Sequence, residues 1–291
     1  MGKVLLIYNP VAGTGSFNNI FDAIVERVQK KEAGVLVLRT PFREEHIFKL
    51  LEQEIKSILV AGGDGTLSHV VNALLKSERR VPLYLFPTGT VNDFAVNTGI
   101  LSVEDALNLW EQGKTFAVDV GKIGGSYFIN VASGGLFTDI AHKVEQRRKN
   151  NLGKIAYYLR GLAQIPALKG IDIRLEAGGK TVFSGEAYLY LFLNGRSAGS
   201  LKHLAPCASI NDGLLDCLIF KKCSTAALCQ LFIKVLKGRH LDDKNVFHCR
   251  SSSFILQSAS IIETDIDGEP GPPLPWKVEA VPGAVLFASN R

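Results

Sequence analysis

Residues 57–73 read SILVAGGDGTLSHVVNA, and the rest of the fold can be built outward from this segment. The apolar run 57–61 leads directly into the motif GGDGT at 62–66, after which residues 67–76 have helical spacing. A short apolar run closed by glycines is typical of a buried strand. Glycines let a backbone approach a ligand, and a helix start offers unpaired N–H groups to an anion. The segment therefore predicts a strand, a phosphate-binding loop and a helix.

Asp64 is unusual in such a loop because its carboxylate would repel a phosphate. A Mg²⁺ ion between the carboxylate and the phosphate would remove this conflict. The alternative is an ordinary strand–turn–helix connection in which Thr66 caps the helix. This segment alone leaves both interpretations open.

Two further loops follow predicted strands in the same half of the chain. Asn9-Pro10 opens a loop after the apolar run 3–8, and the segment PTGTVNDF at 87–94 follows the run 82–86. Loops at the carboxyl ends of parallel strands meet at one edge of the sheet, where ligands of such folds bind. We therefore expect the three loops to form one site.

The common nucleotide-binding motifs are incomplete or missing. The fingerprint G-x-G-x-x-G is matched by Gly13 and Gly15, but Asn18 takes the position of the last glycine. A Walker A motif does not occur. The incomplete fingerprint disfavours a dinucleotide-dependent dehydrogenase.

The first 120 or so residues alternate apolar strand patterns with helical ones, which is typical of βαβ units and a parallel sheet. The predicted strands are 3–8, 35–38, 57–61 and 82–86, and the predicted helices are 17–31, 44–54 and 67–76. This pattern predicts an α/β domain of three layers with a parallel sheet that binds a nucleotide.

After about Asp119 strand patterns follow one another closely, with helical patterns only near 138–168 and 224–237. This texture predicts a second, mainly antiparallel β-sandwich domain. The predicted strands are 126–132, 171–175, 181–183, 187–193, 215–220, 253–257, 260–264, 276–281 and 284–288. A boundary near 121–125 gives domains of 1–122 and 123–291.

The composition limits the function classes. A formal net charge of +5 fits nucleotides or anionic lipid surfaces and is too small to argue for nucleic acid. The five cysteines form no C-x-x-C pair, so we expect reduced thiols in a cytoplasmic protein rather than a disulfide framework or a zinc site. No signal peptide or membrane-spanning segment is expected. A lipid substrate would then be met at the inner face of the membrane.

Several motifs together resemble the diacylglycerol kinase catalytic domain family, specifically the soluble bacterial lipid kinases. The resemblance covers nearly the whole chain. The motifs are NPxxG at 9–13, GGDGT at 62–66, PxGTxNDF at 87–94, NVASGG at 130–135, NGR at 194–196, NDGLLD at 211–216 and DGE at 267–269.

The resemblance implies an ATP site, a structural Mg²⁺ site and a general base. Residues expected at the nucleotide are Asn9, Thr40, Gly62, Gly63, Asp64, Gly65, Thr66, Thr90 and Asn92. Residues expected at Mg²⁺, partly through main-chain carbonyls, are Ser209, Asp212 and Leu214. The base is expected to be Glu269 with Asp267 beside it, and Asp64 has also been given that role in relatives. Relatives further suggest a homodimer.

Residue chemistry supports these assignments without requiring them. A lipid hydroxyl is a poor nucleophile and gains from a carboxylate that accepts its proton, which suits Glu269. The alternative is a solvated acidic turn, and the N-D-G sequence around Asp212 is likewise a good hairpin turn. Basic residues at 143–169 could meet anionic headgroups, or they could form a solvated helix face. The histidines have no metal-binding spacing.

The leading hypothesis is an ATP- and Mg²⁺-dependent lipid kinase with diacylglycerol as the expected acceptor. Alternatives are an NAD kinase, whose family also carries GGDGT, a kinase for phosphatidylglycerol or a sphingoid base, and a non-catalytic lipid-binding protein. The sequence does not distinguish the possible lipid acceptors.

Overall fold

The computed structural model describes residues 2–12, 18–31, 34–135 and 169–288. In the first half, four strands form a parallel sheet in the spatial order β2-β1-β3-β4. They are β1 (Lys3–Tyr8), β2 (Gly34–Arg39), β3 (Ile55–Gly62) and β4 (Leu83–Pro87). The buried parts of strands β1, β3 and β4 are apolar except for Ser57, as expected for a sheet covered on both faces.

The helices cover this sheet in two layers. They are α1 (Asn18–Lys30), α2 (Glu44–Leu51), α3 (Asp64–Lys76), α4 (Asp93–Thr98) and α5 (Val103–Gln112). The chain crosses from β1 to β2 in one direction and from β2 to β3 in the other, so right-handed crossovers place α1 and α2 on opposite faces. Ion pairs join α1 to α5 through Arg27 and Glu104, and α2 to α3 through Glu44 and Lys76. The predicted three-layer α/β arrangement is confirmed.

The second half is mainly antiparallel, as predicted for a β-sandwich. Its strands are β5 (Phe116–Ile123), β6 (Ser126–Phe128), β7 (Val131–Gly135), β8 (Ile171–Ala177), β9 (Lys180–Leu193), β10 (Leu215–Lys221), β11 (Val246–Ser251), β12 (Ser253–Gln257), β13 (Thr264–Ile266), β14 (Glu269–Pro270) and β15 (Trp276–Phe287). One more helix of the described residues, α6 (Thr225–Leu236), lies between β10 and β11. Buried aromatic rings fill the core between the layers, including Tyr190, Phe192, Phe254 and Trp276.

The last strand joins the two halves. β15 pairs antiparallel with β5 and β12, and its end lies parallel to β4, where Phe287 is opposite Leu83. Phe287 also packs edge-on against Phe94 with ring centroids 4.7 Å apart. The division into 1–122 and 123–291 stays a prediction, because β15 extends the sheet of the first half with residues from the end of the chain.

Several predicted elements differ from the observed ones. Helix α3 begins three residues earlier than expected, at Asp64, and Gly63 rather than Thr66 occupies its N-cap position. The predicted strand pairs 181–183 with 187–193 and 276–281 with 284–288 are each one strand. The predicted strand 260–264 is mostly irregular and only its last residue begins β13. The predicted helix 138–168 lies outside the described residues.

A buried amide connects β5, the segment before β7 and the end of β9. Asn194 is fully buried, and its Nδ2 donates to the carbonyl oxygens of Asp119 at 2.8 Å and Ile129 at 3.1 Å. Its main-chain N–H donates to the carbonyl oxygen of Asn130 at 3.0 Å. One side chain therefore positions the two segments that carry Asp119 and Asn130.

We expect Asn194→Ala to lower the free energy of unfolding by on the order of 3 kcal/mol, because two buried carbonyl groups lose their donor. Chemical denaturation of both proteins measures the difference. Asn108→Ala is the matched control, since Asn108 is exposed on α5 and should cost less than about 0.5 kcal/mol. Equal effects of the two substitutions would contradict the linking role of Asn194.

Candidate functional site

The loops after the parallel strands meet at one edge of the sheet. The N–H of Asn9 donates to the carbonyl oxygen of Ala61 at 2.9 Å, and the N–H of Gly89 donates to that of Gly62 at 3.2 Å. Thr40 follows β2, and its N–H donates to the carbonyl oxygen of Tyr8 at 2.9 Å. The structure thus brings together the strand ends that carry the predicted nucleotide-binding residues.

Two glycines allow the central loops to touch. A Cβ atom on Gly89 would lie 2.4 Å from the Cα of Gly63 and 2.6 Å from Oδ1 of Asn92. Such distances are too short for any side chain, so glycine at position 89 is what lets the loops approach. Gly65 differs, because a Cβ there would meet nothing within 4 Å. The first turn of α3 is therefore open to a ligand on the side of Gly65.

The start of α3 is suited to an anion. Its N-cap residue, Gly63, supplies no side-chain hydrogen bond, and the first N–H groups of a helix have no partner within the helix. Thr66 lies in this first turn with its side chain against Gly62. Unpaired N–H groups and the positive end of the helix dipole both favour a phosphate at this point.

The carboxylate of Asp64 accepts hydrogen bonds from the start of α4 and from Asn130. Oδ2 accepts a hydrogen bond from the N–H of Asp93 at 2.9 Å, and Oδ1 accepts one from the N–H of Phe94 at 2.9 Å. The Nδ2 of Asn130 donates to Oδ1 at 3.2 Å. Asp64 therefore caps helix α4 and ties it to α3 and to the segment before β7.

Asp93 is a second carboxylate beside Asp64 and was not among the residues predicted for the site. It is buried and accepts a hydrogen bond from the N–H of Ser200 at 3.1 Å. Burial raises the pKa of Asp93 from 3.8 to about 6, and the nearby charge of Asp64 acts in the same direction. Carboxylates with raised pKa values cluster at functional sites, which adds Asp93 to this one.

Three buried polar atoms around these loops have no hydrogen-bond partner among the described residues. They are Thr88 Oγ1, Asn92 Oδ1 and Asn130 Oδ1. Buried polar atoms almost always have a partner in folded proteins, so these atoms are candidate contacts of a bound ligand. The predicted residue Thr90 is exposed on the same loop. The donors and acceptors at this edge therefore fit a nucleotide with its phosphates.

The D-G-E turn is fixed by Asp267. Its carboxylate accepts hydrogen bonds from the N–H groups of Ile129 at 2.7 Å, Asn130 at 2.9 Å and Val131 at 3.0 Å, and from the hydroxyl of Ser68 at 3.0 Å. Burial of the carboxylate raises the pKa of Asp267 to about 6, while these four donors act in the opposite direction. Both oxygens of the Asp267 carboxylate therefore accept two hydrogen bonds each.

Glu269 follows on β14 and faces outward. Its side chain is 62% exposed, and Oε1 lies 3.7 Å from Nε2 of His69. His69 stands one turn after Gly65 on α3. The exposed carboxylate therefore lies beside the second turn of α3, next to the turn that begins at Asp64.

The predicted metal residues form a separate cluster. Ser209 Oγ donates to Asn211 Oδ1 at 2.8 Å, and Asp212 Oδ1 accepts from the N–H of Leu214 at 3.1 Å. The second oxygen of Asp212 is paired with the guanidinium of Arg250. Within the described residues no cluster of three His, Cys, Asp or Glu side chains could hold a metal ion, but the predicted ligands are chiefly hydroxyl and carbonyl oxygens.

Asp119 connects this cluster to β15 at Gly283. Its carboxylate accepts the N–H groups of Gly213 at 2.6 Å and Gly283 at 2.8 Å. A cleft of about 490 Å³ opens beside it, lined in part by Asn211 and Asp212. Oxygen ligands at an open cleft suit a hard cation such as Mg²⁺. In this structure one oxygen of Asp212 is paired with Arg250 instead.

Sequence reasoning missed the residues that act through hydrogen bonds across long separations. Asp93 lies in the motif at 87–94 but was not predicted as a site residue. Ser68 and Asp119 were not predicted either, because nothing in the local sequence marks them. Their partners lie up to 199 residues away, as for Ser68 and Asp267, and follow only from the fold.

The predicted membrane-facing region lies largely outside the structure. Its basic residues Lys143, Arg147, Arg148, Lys149, Lys154 and Arg160 are outside the described residues, and only Lys169 is described. No described helix is long and apolar enough to cross a membrane. The homodimer stays a prediction.

Two families match successive parts of the chain. Residues 3–123 match the diacylglycerol kinase catalytic domain, and residues 130–288 match the YegS C-terminal NAD kinase beta sandwich-like domain. The diacylglycerol kinase of Bacillus subtilis (strain 168) is 32% identical over 281 residues, which cover 94% of this chain and 92% of that protein. The diacylglycerol kinase of Staphylococcus carnosus is 30% identical, with coverage of 94% and 90%.

Solved structures agree. A diacylglycerol kinase from Bacillus anthracis superposes with a TM-score of 0.77 at 25% identity and covers 99% of this chain and 97% of its own. An NAD kinase from Archaeoglobus fulgidus in complex with ATP gives a TM-score of 0.59 at 14% identity, covering 99% and 94%, which shows the fold alone. With the three-layer fold, the loops at its sheet edge and these matches together, the chain belongs to the diacylglycerol kinase family and is a lipid kinase.

Proposed function

We propose that this lipid kinase transfers the γ-phosphoryl group of ATP, with Mg²⁺, to the primary hydroxyl of diacylglycerol and so forms phosphatidic acid. The observation that carries the proposal is the turn at 267–269, in which Asp267 is fixed by four donors and the exposed Glu269 lies beside His69 of α3. The acceptor is taken from the names of the relatives.

The nucleotide would lie along the carboxyl edge of the parallel sheet. Its phosphates would meet the N–H groups of Gly65 and Thr66 at the start of α3, where the helix dipole is favourable. Asn9, Asn92 and Thr90 flank this position, and Thr40 lies farther along the same edge, beyond β1. Asp64 is satisfied mainly by α4 and Asn130, so we assign it the role of holding the two helices rather than of taking a proton.

Glu269 would act as the general base. Its carboxylate accepts the proton of the lipid hydroxyl as the hydroxyl oxygen forms a bond to the γ-phosphorus and the bond to ADP breaks. An exposed carboxylate suits a substrate that arrives from outside, at a membrane surface. Asp267 contributes by fixing the turn, since its own oxygens are already occupied.

Mg²⁺ has two proposed places. Bound with ATP, it would neutralise part of the negative charge of the phosphates during transfer. A second, structural ion would be held by Ser209, Asp212 and Leu214, and Asp212 would then have to exchange its contact with Arg250 for the metal. Asp119 holds the turn at Gly213 in place in either case.

Phosphoryl transfer from radiolabelled ATP to a panel of lipids in mixed micelles tests the proposal directly. The panel contains diacylglycerol, phosphatidylglycerol and a sphingoid base, and NAD is added as a competing acceptor. We expect label in diacylglycerol that disappears when the metal is chelated. Label in another lipid would correct the acceptor, and label in NAD alone would overturn the proposal.

The base is tested by Glu269→Gln. Removing the proton acceptor while keeping the side-chain shape should lower kcat by a factor of about 10² to 10⁴. The KM for ATP should change little, because Glu269 does not contact the proposed phosphate site. Glu263→Gln is the matched control, since Glu263 is exposed and lies four residues before the turn that begins at Asp267. A kcat within threefold of the unmodified protein would exclude Glu269 as the base.

The buried charge of Asp93 predicts a pH-dependent change in stability. Its folded pKa of about 6 lies above the unfolded value near 3.8, so ionisation destabilises the fold as the pH rises through this window. At about 1.36 kcal/mol per pH unit, the effect is about 3 kcal/mol above pH 6 and vanishes below 3.8. We expect Asp93→Asn to gain stability relative to the unmodified protein as the pH rises.

Denaturation at several pH values measures this gain. Asp242→Asn is the control, because Asp242 is exposed and should show no such dependence. A stability difference for Asp93→Asn that is the same at pH 4 and pH 7.5 would contradict the analysis. Activity of this variant is expected to fall, since the charge beside Asp64 is lost.

A further inference from the structure

Cys217 and Cys249 stand directly opposite each other on two antiparallel strands. Cys217 lies on β10, Cys249 lies on β11, and the register of the pair places their Cα atoms as partners. Directly opposed residues have Cα atoms about 4.5–5.5 Å apart and side chains on the same face. A disulfide needs a Cα separation of roughly 4.4–6.8 Å, so the two strands already meet this requirement.

The two thiols differ in exposure. Cys217 is fully buried in the core of the antiparallel half, and Cys249 packs against the same core but is partly exposed. Among the described strands β11 pairs with β10 alone, so Cys249 lies on an edge strand. A reagent in solution can therefore reach Cys249 first.

The two thiols also differ in acidity. Burial raises the pKa of Cys217, whereas the hydrogen bond with Cys217 lowers the pKa of Cys249. The thiolate is the attacking form of cysteine. Cys249 is thus the thiol that reacts first, and Cys217 is the one that resolves the product.

We propose that Cys217 and Cys249 form a redox modification site, which small-molecule disulfides convert reversibly into a cross-strand disulfide within one chain. The reduced thiols expected from the sequence are the starting state of this site. The proposal depends on the strand register and not on which lipid the kinase phosphorylates.

The chemistry proceeds by two thiol–disulfide exchanges. The Cys249 thiolate attacks one sulfur of the reagent, the reagent's S–S bond breaks, and one thiolate leaves. The Cys217 thiol then loses its proton and attacks Cys249 Sγ, which releases the second thiolate. The two protein thiols are oxidised by two electrons in total, the reagent is reduced to two thiols, and the two cysteine protons pass to solvent or to the released thiolates.

The site is close to the cluster around Asp212. Arg250, the residue after Cys249, contacts both Asp216 and Asp212, and His248, the residue before it, contacts Asp216 at 2.7 Å. A disulfide would fasten β11 to β10 and restrict the strand that carries Arg250. The redox state of the pair would therefore act on the segment next to the proposed metal turn.

The experiment uses the full chain, reduced and then incubated with oxidised glutathione. Free thiols are blocked by alkylation, the protein is digested, and the peptides are identified by mass spectrometry. We expect one linked pair of peptides containing Cys217 and Cys249, lighter by two hydrogens and separated again by dithiothreitol. A Cys207→Ser/Cys223→Ser/Cys229→Ser triple variant should give the same link, because it retains the pair.

Single variants separate the two roles. Cys217→Ala should stop at a glutathione adduct on Cys249, and Cys249→Ser should give neither adduct nor link at these positions. Thermal unfolding checks that both variants are folded. If one of them is unfolded, the linked peptide of the unmodified protein alone tests whether the Cys217–Cys249 disulfide forms. A link through Cys207, a lasting adduct on Cys249 in the unmodified protein, or no oxidation of the pair would overturn the proposal.

Discussion

The hydrogen bonds to the Asp267 carboxylate are the interaction on which the site depends. Glu269 is exposed, and its one described polar neighbour, His69, is 3.7 Å away, so its own contacts do not fix its position. Asp267 fixes it instead, by binding three consecutive N–H groups at 129–131 and the hydroxyl of Ser68. Asp267 adopts a positive φ of 50°, a conformation that costs roughly 1–2 kcal/mol outside glycine. Four hydrogen bonds to a charged group offset that cost.

The same arrangement occurs at two more carboxylates. Asp64 binds the first N–H groups of α4, and Asp119 binds the N–H groups of Gly213 and Gly283. Each joins segments that are far apart in sequence. The main-chain donors partly neutralise the charge of these carboxylates. Such a carboxylate repels a nearby phosphate less strongly than a carboxylate without hydrogen bonds would. This resolves the conflict that Asp64 poses in the sequence.

The sequence predicted the parallel sheet, its loops and the antiparallel half because those depend on local periodicity and on glycine. The sequence-based prediction was wrong where glycine or proline can mark either a turn or an irregular position within a continuous strand. Gly185 and the Pro282-Gly283 pair indicate turns between strands, yet β9 and β15 continue through them, and β15 does so with a register shift between Val281 and Val285. The partners of Asp64, Asp119 and Asp267 could not be predicted, because a hydrogen bond across 29 to 199 residues follows from the assembled fold.

The charge of Asp93 gives an independent argument for where the function lies. An asparagine at this position could also accept the hydrogen bond from Ser200, and it would avoid the desolvation that raises the pKa of Asp93 to about 6. On balance burial disfavours a charged carboxylate there, and the neighbouring carboxylate of Asp64 makes the charge less favourable still. Retaining such a charge is typical of functional sites, where its electrostatic effect on a ligand outweighs its effect on stability. The unfavourable charge of Asp93 therefore indicates a functional site where α3 and α4 begin. The converging loops indicate the same edge of the sheet by their geometry.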